Sequence, residues 1–329
     1  MLGQLEKGAG GAVAVRSGQV AGPERATYPP RTADRQVAGP ARVADQVGIG
    51  WRAPLAASIF THLDGIDVVE VIADEYFSAS KRVLRSMRSL GREVPISLHG
   101  VALGLASVVP VPAARLDRLG KLVNDIEPVL WSEHLAFVRG GGYEIGHLAA
   151  PPRNAMTVEG AVHNIQRARA VVGSPPVLEN IATLIEPPDS MLSEPEWVTA
   201  ILQSSASPLL LDLHNLYANA VNFGHDPLEL LGRFPLDRTR VVHLSGGQWI
   251  DLRPNEFGLS SRRLLDDHVH DVPDVVYDLL TELACRCPQP LAVILERDGN
   301  YPEFPELFRQ LGRAREALAE GRRRVRNKL

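Results

Sequence analysis

Cysteine is almost missing from this sequence: Cys285 and Cys287 are the only two in 329 residues, one position apart in ACRCPQP. Side chains at that spacing rarely reach disulfide geometry. A lone C-x-C is also a weak metal signal, so both read as residues at a helix end, in keeping with a reducing, cytoplasmic setting. No run of about 18 uninterrupted apolar residues occurs, which argues against a membrane-spanning helix. The opening MLGQLEKGAGGAVAVRSG lacks the apolar stretch and cleavage site of a secretory signal. A surplus of positive charge is absent too. With 35 basic and 39 acidic residues the net charge is −4, and no electrostatic footprint for nucleic acid exists. The closing run GRRRVRNKL reads as a solvated helix terminus.

What is present is an ordinary globular composition, 45% apolar and 22% charged. Residues 1–45 are rich in Gly, Ala, Pro and Arg without apolar periodicity, and are expected to form a flexible extension. Residues 46–329 are expected to form one catalytic domain. Short, nearly continuous apolar runs recur there: VGIGW (47–51), DVVEVI (67–72), PISLHGV (95–101), PVLWSEHL (128–135), PPVLENI (175–181), PLLLDLHN (208–215), RVVHLSGG (240–247) and LAVILERD (291–298). Such runs suit parallel strands buried on both faces. Amphipathic stretches such as AARLDRLGKLVNDI and DVPDVVYDLLTELACR separate them, with helix starts expected at Thr157 and at Ser193, the latter in a capping box with Glu196. Eight strand–helix repeats predict a single (β/α)8 barrel of the α/β class. The rival is a doubly wound open sheet, but no G-x-G-x-x-G follows the first run.

The C-terminal strand ends form the active face of such a barrel. Read in order, these ends carry His99, then Glu133-His134, then Glu179-Asn180, then Asp212 with His214 and Asn215, then His243 and Glu296. Asp266 and His268 lie between the last two strands. Charged groups are costly to bury without partners. A single histidine at a strand end is more often a hydrogen-bonded core residue, Asp212 is placed to cap a helix, and Glu296 stands beside Arg297 as in an ion pair. Convergence on one rim is different. Cations satisfy carboxylates and imidazoles together, and there are more groups than one ion takes, so two or three metals are expected. His62, His147, His163 and His225 are expected in helices or loops away from this rim. His270 reads as a substrate contact or a support for a ligand. Glu133 alternates to the other side of its strand from His134, which fits an orienting role.

At these strand ends the sequence resembles the DUF692 family, the multinuclear non-haem iron-dependent oxidases. The blocks are HGVALGLAS (99–107), WSEHLAF (131–137), PPVLENIATL (175–184), LLLDLHNLYANAVNFGHDP (209–227), VVHLSGG (241–247), LLDDHVHDVPD (264–274) and LERD (295–298). The resemblance implies a xylose-isomerase-like barrel holding two or three irons, as Fe2+ or Fe3+. It places His99, His134, Glu179 and Glu296 around one metal, and Glu179, Asp212, His243 and Glu296 around a second. Asp266, His268 and one of His214 or Asn215 would hold a third. Relatives often read a His followed by Glu-Asn where this chain has VEVIADEYF, leaving Glu70, Asp74 and Glu75 as open pocket positions. Many also carry a second histidine where this chain has Gly246-Gly247.

The resemblance further implies an oxidoreductase that uses O2 to modify a residue, commonly cysteine, of a ribosomally made precursor peptide. A partner protein usually presents that peptide, and the first step is hydrogen removal from the substrate Cβ. Asp212, His243 and Glu296 are the expected catalytic centre. An alternative is a metal-dependent hydrolase or isomerase like endonuclease IV or xylose isomerase; a non-catalytic peptide-binding role fits poorly with retention of every ligand.

Overall fold

The computed structural model describes residues 44–140, 142–252 and 262–326. All but the last two residues of the expected 1–45 extension lie outside them. In chain order the strands are β1 (Gln46–Gly50), β2 (Val69–Ile72), β3 (Ile96–Gly100), β4 (Leu130–His134), β5 (Phe137–Gly140), β6 (Tyr143–Ala149), β7 (Val177–Glu179), β8 (Leu209–Asp212), β9 (Thr239–Leu244), β10 (Gly247–Asp251), β11 (Arg262–Asp266) and β12 (Ala292–Leu295). The helices are α1 (Ala56–Thr61), α2 (Lys81–Glu93), α3 (Ala113–Ile126), α4 (Ala155–Val172), α5 (Glu194–Ser205), α6 (Leu213–Phe223), α7 (Pro227–Arg233), α8 (Asp274–Arg286) and α9 (Phe304–Arg326).

Eight strands close into a parallel barrel in the order β1-β2-β3-β4-β7-β8-β9-β12. The expected fold class is therefore the observed one, and the open-sheet rival falls away. Two antiparallel hairpins, β5–β6 and β10–β11, stand outside the barrel. Neither was expected from the sequence. His147 lies in β6 rather than in a helix or loop, although still away from the barrel strand ends.

Local signals set most boundaries. Ser193 and Glu196 form the expected capping box on α5. The start of α4 differs by three residues: Asn154 is the cap, and Thr157 returns the bond from inside the first turn. The run 208–215 does not continue as strand through Asn215. Asp212 accepts from the Asn215 N–H at 2.6 Å, and helix α6 begins at Leu213. His214 and Asn215 thus belong to a helix. The two cysteines are free at the end of α8, as expected.

A small cluster of Val68, Val177, Leu210, Val241 and Ile294 fills the barrel interior, apart from the large core between strands and helices. Two residues after each of these comes a polar group: Glu70, Glu179, Asp212, His243 and Glu296. Strand side chains alternate with period two. Each of these chain segments therefore sends one apolar residue inward as floor and one polar residue inward above it.

Candidate metal centre

Register brings the polar layer together. Asp212 pairs directly with His243 across β8–β9, His134 with Glu179 across β4–β7, and His99 with Ser132 across β3–β4. All of these residues are buried, with Asp212 and His243 at 0% exposure and Glu296 at 4%. Among the described residues three candidate donor sets emerge, each with donor atoms within 4.8 Å of one another; two of them are His99, His134 and Glu179, and Glu179, Asp212, His243 and Glu296. Glu179 belongs to both of these. Its Oε2 lies 3.4 Å from Nε2 of His99 and of His134, and its Oε1 lies 3.3 Å from His243 Nδ1.

Several donor atoms in this layer are buried without a hydrogen-bond partner: Glu179 Oε2, Asp212 Oδ2, Glu296 Oε2 and both ring nitrogens of His243. His243 Nδ1 sits 3.0 Å from Glu296 Oε2, and Nε2 sits 2.9 Å from Glu70 Oε1. These atoms approach closely without the alignment of hydrogen bonds. Leaving so many buried polar atoms unpaired is costly. A set of imidazole and carboxylate donors facing a shared centre is what a cation satisfies, and mixed N/O donors suit iron, zinc or manganese.

Electrostatics point the same way. Burial works against the charged form of every group. For Glu179 and Glu296 the facing imidazoles outweigh it and hold both carboxyls below their ordinary range, Glu296 well below. His134 is lifted to about 9 against its burial, chiefly by Glu179 and Glu133, and His243 is lifted well above its usual value by Glu296, Glu70 and Glu179. Asp212 is pushed well up, first by burial and then by Asp266 and Glu179. Burial and neighbouring His134 lower His99. This ring of carboxylates demands positive charge, which protons on imidazoles or bound cations can supply.

The expected third set is arranged differently. Asp266 ends β11, and His268 follows in a loop with φ +55°. Asp266 Oδ1 meets His214 Nδ1 at 2.8 Å, and Oδ2 meets His268 Nε2 at 2.8 Å. Both carboxylate oxygens are thus taken up by imidazoles in place of converging with them. His268 also contacts Asp298 at 3.1 Å, and Asp298 pairs with the buried Arg52. His214 Nε2 and Asn215 Oδ1 remain buried without partners.

The remaining expected residues mostly serve as supports. Asn180 exchanges two hydrogen bonds with the backbone of Asp212, at 2.9 and 3.1 Å, joining the ends of β7 and β8. Glu133 accepts from the Leu103 N–H and Asp74 from the Val101 N–H, so both hold the loop after β3. Neither points into the ligand layer as a donor set member. His270 is exposed and paired with Asp267. Glu70, an open position in the sequence, joins the ring: it forms a third possible donor set with His99 and His243, and accepts from Ser97 at 3.3 Å. Sequence reasoning missed Ser132, whose hydroxyl lies 2.8 Å from His99 Nδ1, and Ser245, which donates to Asp266 at 3.0 Å. Period two alone marks Ser132, two residues before His134. Arg297 pairs with Asp271 at 3.0 Å and leaves Glu296 free of it.

Comparison with known proteins supplies the family and the fold. Residues 46–319 match the family described as RiPP precursor modification enzyme MbnB/TglH/ChrH. A UPF0276 protein of Streptomyces avermitilis is 35% identical over 82% of this chain, which spans only 54% of that relative's length. Another, from Acaryochloris marina, is 30% identical over 84% of this chain and 95% of its own length. Among solved structures, D-psicose 3-epimerase of Clostridium cellulolyticum H10 superposes with a TM-score of 0.51 at 12% identity, covering 85% of this chain and 99% of that one. A xylose isomerase domain protein of Planctomyces limnophilus gives 0.51 at 15% identity, covering 86% and 99%. These likenesses establish a xylose-isomerase-like barrel and no more. Ring, register and family match converge: the chain belongs to the MbnB/TglH/ChrH family of RiPP precursor modification enzymes.

Proposed function

We propose that this protein is a multinuclear iron-dependent oxidase that uses O2 to modify a residue, by our reading cysteine, of a ribosomally made precursor peptide. The observation that carries the proposal is Glu179, a buried carboxylate shared between two donor sets, as a bridge between two cations requires. His99, His134 and Glu179, with Glu296 by family resemblance, would hold one iron. Glu179, Asp212, His243 and Glu296 would hold the other. A third position at Asp266, His268 and His214 or Asn215 requires the imidazole pairs of Asp266 to open. Iron held there would supply O2 activation and with it the removal of hydrogen from the substrate carbon.

The chain's own residues supply the rest. Val68, Val177, Leu210, Val241 and Ile294 seal the floor beneath the ligands against water. Asn180 ties two ligand-bearing strand ends together, and Ser132 orients His99. A separate presenting protein is part of the proposal, by family resemblance alone.

Anaerobic purification followed by iron reconstitution tests the reading. Two or more irons per chain are expected, with O2 uptake that depends on a cysteine-bearing precursor peptide. Zinc-only occupancy with phosphodiester cleavage and no O2 uptake overturns it in favour of the hydrolase alternative.

A further inference from the structure

We propose that the free edge of strand β10 receives an extended stretch of the substrate peptide as an added strand, placing one peptide side chain over His214 at the border of the metal centre. The proposal rests on the peptide-modifying reading above and specifies how the chain holds its substrate.

The two edges of the β10–β11 hairpin are unlike. On β11, the Leu264 N–H donates to Asn222 Oδ1 at 2.7 Å, and Asn222 Nδ2 donates to the Leu264 carbonyl at 3.0 Å. The carboxamide of Asn222, on α6, thereby closes that edge as a neighbouring strand would. Because both backbone groups of Leu264 point to Asn222, its partner across the ladder, Trp249, forms a pair without mutual hydrogen bonds. Trp249 must then direct its own N–H and carbonyl away from β11. By the same alternation Gly247 and Asp251 do so too. Among the described residues no hydrogen bond involves these outward groups. Gln248, Trp249 and Asp251 are exposed. Such a row of alternating donors and acceptors, uncovered among the described residues, is a template for an extended chain.

Position selects the substrate as the occupant. The edge begins at Gly247, which pairs with Asp266, and a Cβ on Gly247 would clash with the Leu265 carbonyl oxygen at 2.1 Å and with the His214 ring at 2.5 Å, so His214 packs directly against this glycine. The five residues of β10 carry the edge outward from there for about 14 Å at about 3.4 Å per step. Cross-strand partners put their side chains on the same face. A peptide residue opposite Gly247 therefore directs its side chain to the His214 face of the sheet, the face on which Gly247 itself has no room for one. Main-chain recognition leaves the flanking peptide sequence free to vary, while Trp249, 43% exposed and stacked by Arg262 at 5.4 Å, offers an apolar ledge one pair further out.

The test uses the iron-reconstituted chain and a linear library of form X5-Cys-X5 in mRNA display, with the strongest selected peptide then titrated by fluorescence anisotropy. Trp249→Pro removes an edge N–H that takes no part in the β10–β11 ladder, a position where proline is tolerated; Trp249→Ala keeps that N–H. Binding is expected to weaken about tenfold more in the proline variant than in the alanine variant, the effect of one lost hydrogen bond. N-methylation of the peptide at successive positions is expected to abolish binding with period two, a readout that needs no altered protein. Equal affinities for the two variants, together with an N-methyl profile lacking that period, overturn the proposal. Failure of the unaltered chain to select any peptide does so too, since an edge reading main chain has no side-chain requirement for the library to miss. Metal analysis separates the two readings: edge binding by a chain that takes up no iron sinks the oxidase and spares the edge, and iron with peptide-dependent O2 uptake but no edge signature does the reverse.

Discussion

Asp212 does two jobs with two oxygens. Oδ1 caps helix α6 at the Asn215 N–H, whereas Oδ2 is buried without a partner in the ligand ring. Asparagine caps a helix about as well as aspartate but is a poorer cation ligand. Asp212→Asn is expected to keep the melting temperature of the metal-free parent while losing metal and turnover together. Asp212→Ala should in addition lose about 1 kcal/mol of stability from the missing cap. An alanine variant with full metal content and full turnover removes Asp212 from the centre. Glu194, in the first turn of α5, makes a second residue-scale case. Burial lifts its carboxyl from an ordinary 4.5 to about 6, against the pull of Arg153 and an Asn219 bond at 3.0 Å. The folded state then holds the proton longer than the unfolded state. Its contribution is greatest below pH 4.5 and is lost as pH rises through 6. Glu194→Gln should therefore gain up to about 2 kcal/mol over the parent above pH 6 and little below 4.5; denaturant midpoints across that window measure it, and parallel curves for the two proteins refute it. Glu179, Asp212, His243 and Glu296 were legible at this scale as polar residues each two positions beyond an inward apolar one, whereas His99 and His134 follow Ser97 and Ser132. Glu70 obeys the same rule after Val68, and the rule, applied strictly, would have put it in the ring.

At the scale of elements, the barrel strands were legible and the hairpins were not. A parallel strand buried on both faces leaves a continuous apolar run, as VVHL and AVIL do. The strands of β5–β6 and β10–β11 are half exposed and mixed in character, for example GQWID, and their pairing depends on what the barrel places beside them. The boundary at Asp212 was misplaced for a related reason. LLLDLHN is apolar enough to continue as strand, but a capping carboxylate next to helix-forming residues turned it. Asn222 is the element-scale lever on the outer hairpin. Asn222→Ala leaves the Leu264 N–H and carbonyl without partners and is expected to cost about 2–3 kcal/mol. Amide exchange in β10 and β11 should accelerate while the eight barrel strands stay protected. Unchanged exchange in the hairpin would show that Asn222 does not hold the edge.

For the molecule as a whole, the barrel gathers charge that it cannot neutralise with hydrogen bonds alone. Cations that bind only the folded ring stabilise it by mass action, by about 2.7 kcal/mol at a free concentration one hundred times the dissociation constant. Chelation is thus expected to lower the melting temperature and iron to restore it, with protons released on reloading; a melting temperature indifferent to chelator and iron alike denies the ring its metals. Among the described residues no helix is long and apolar enough to cross a membrane. The chain's sequence by itself determined the repeat of buried strands and helices, and with it the barrel, because period and burial are written locally. It also determined which residues carry donor atoms at the strand ends. Only the tertiary structure decided which of them meet. Glu179 became the donor shared by two sets, Glu70 joined the ring, and Asp266 was drawn between His214 and His268, because strand register and the outer hairpin set distances that no local pattern encodes.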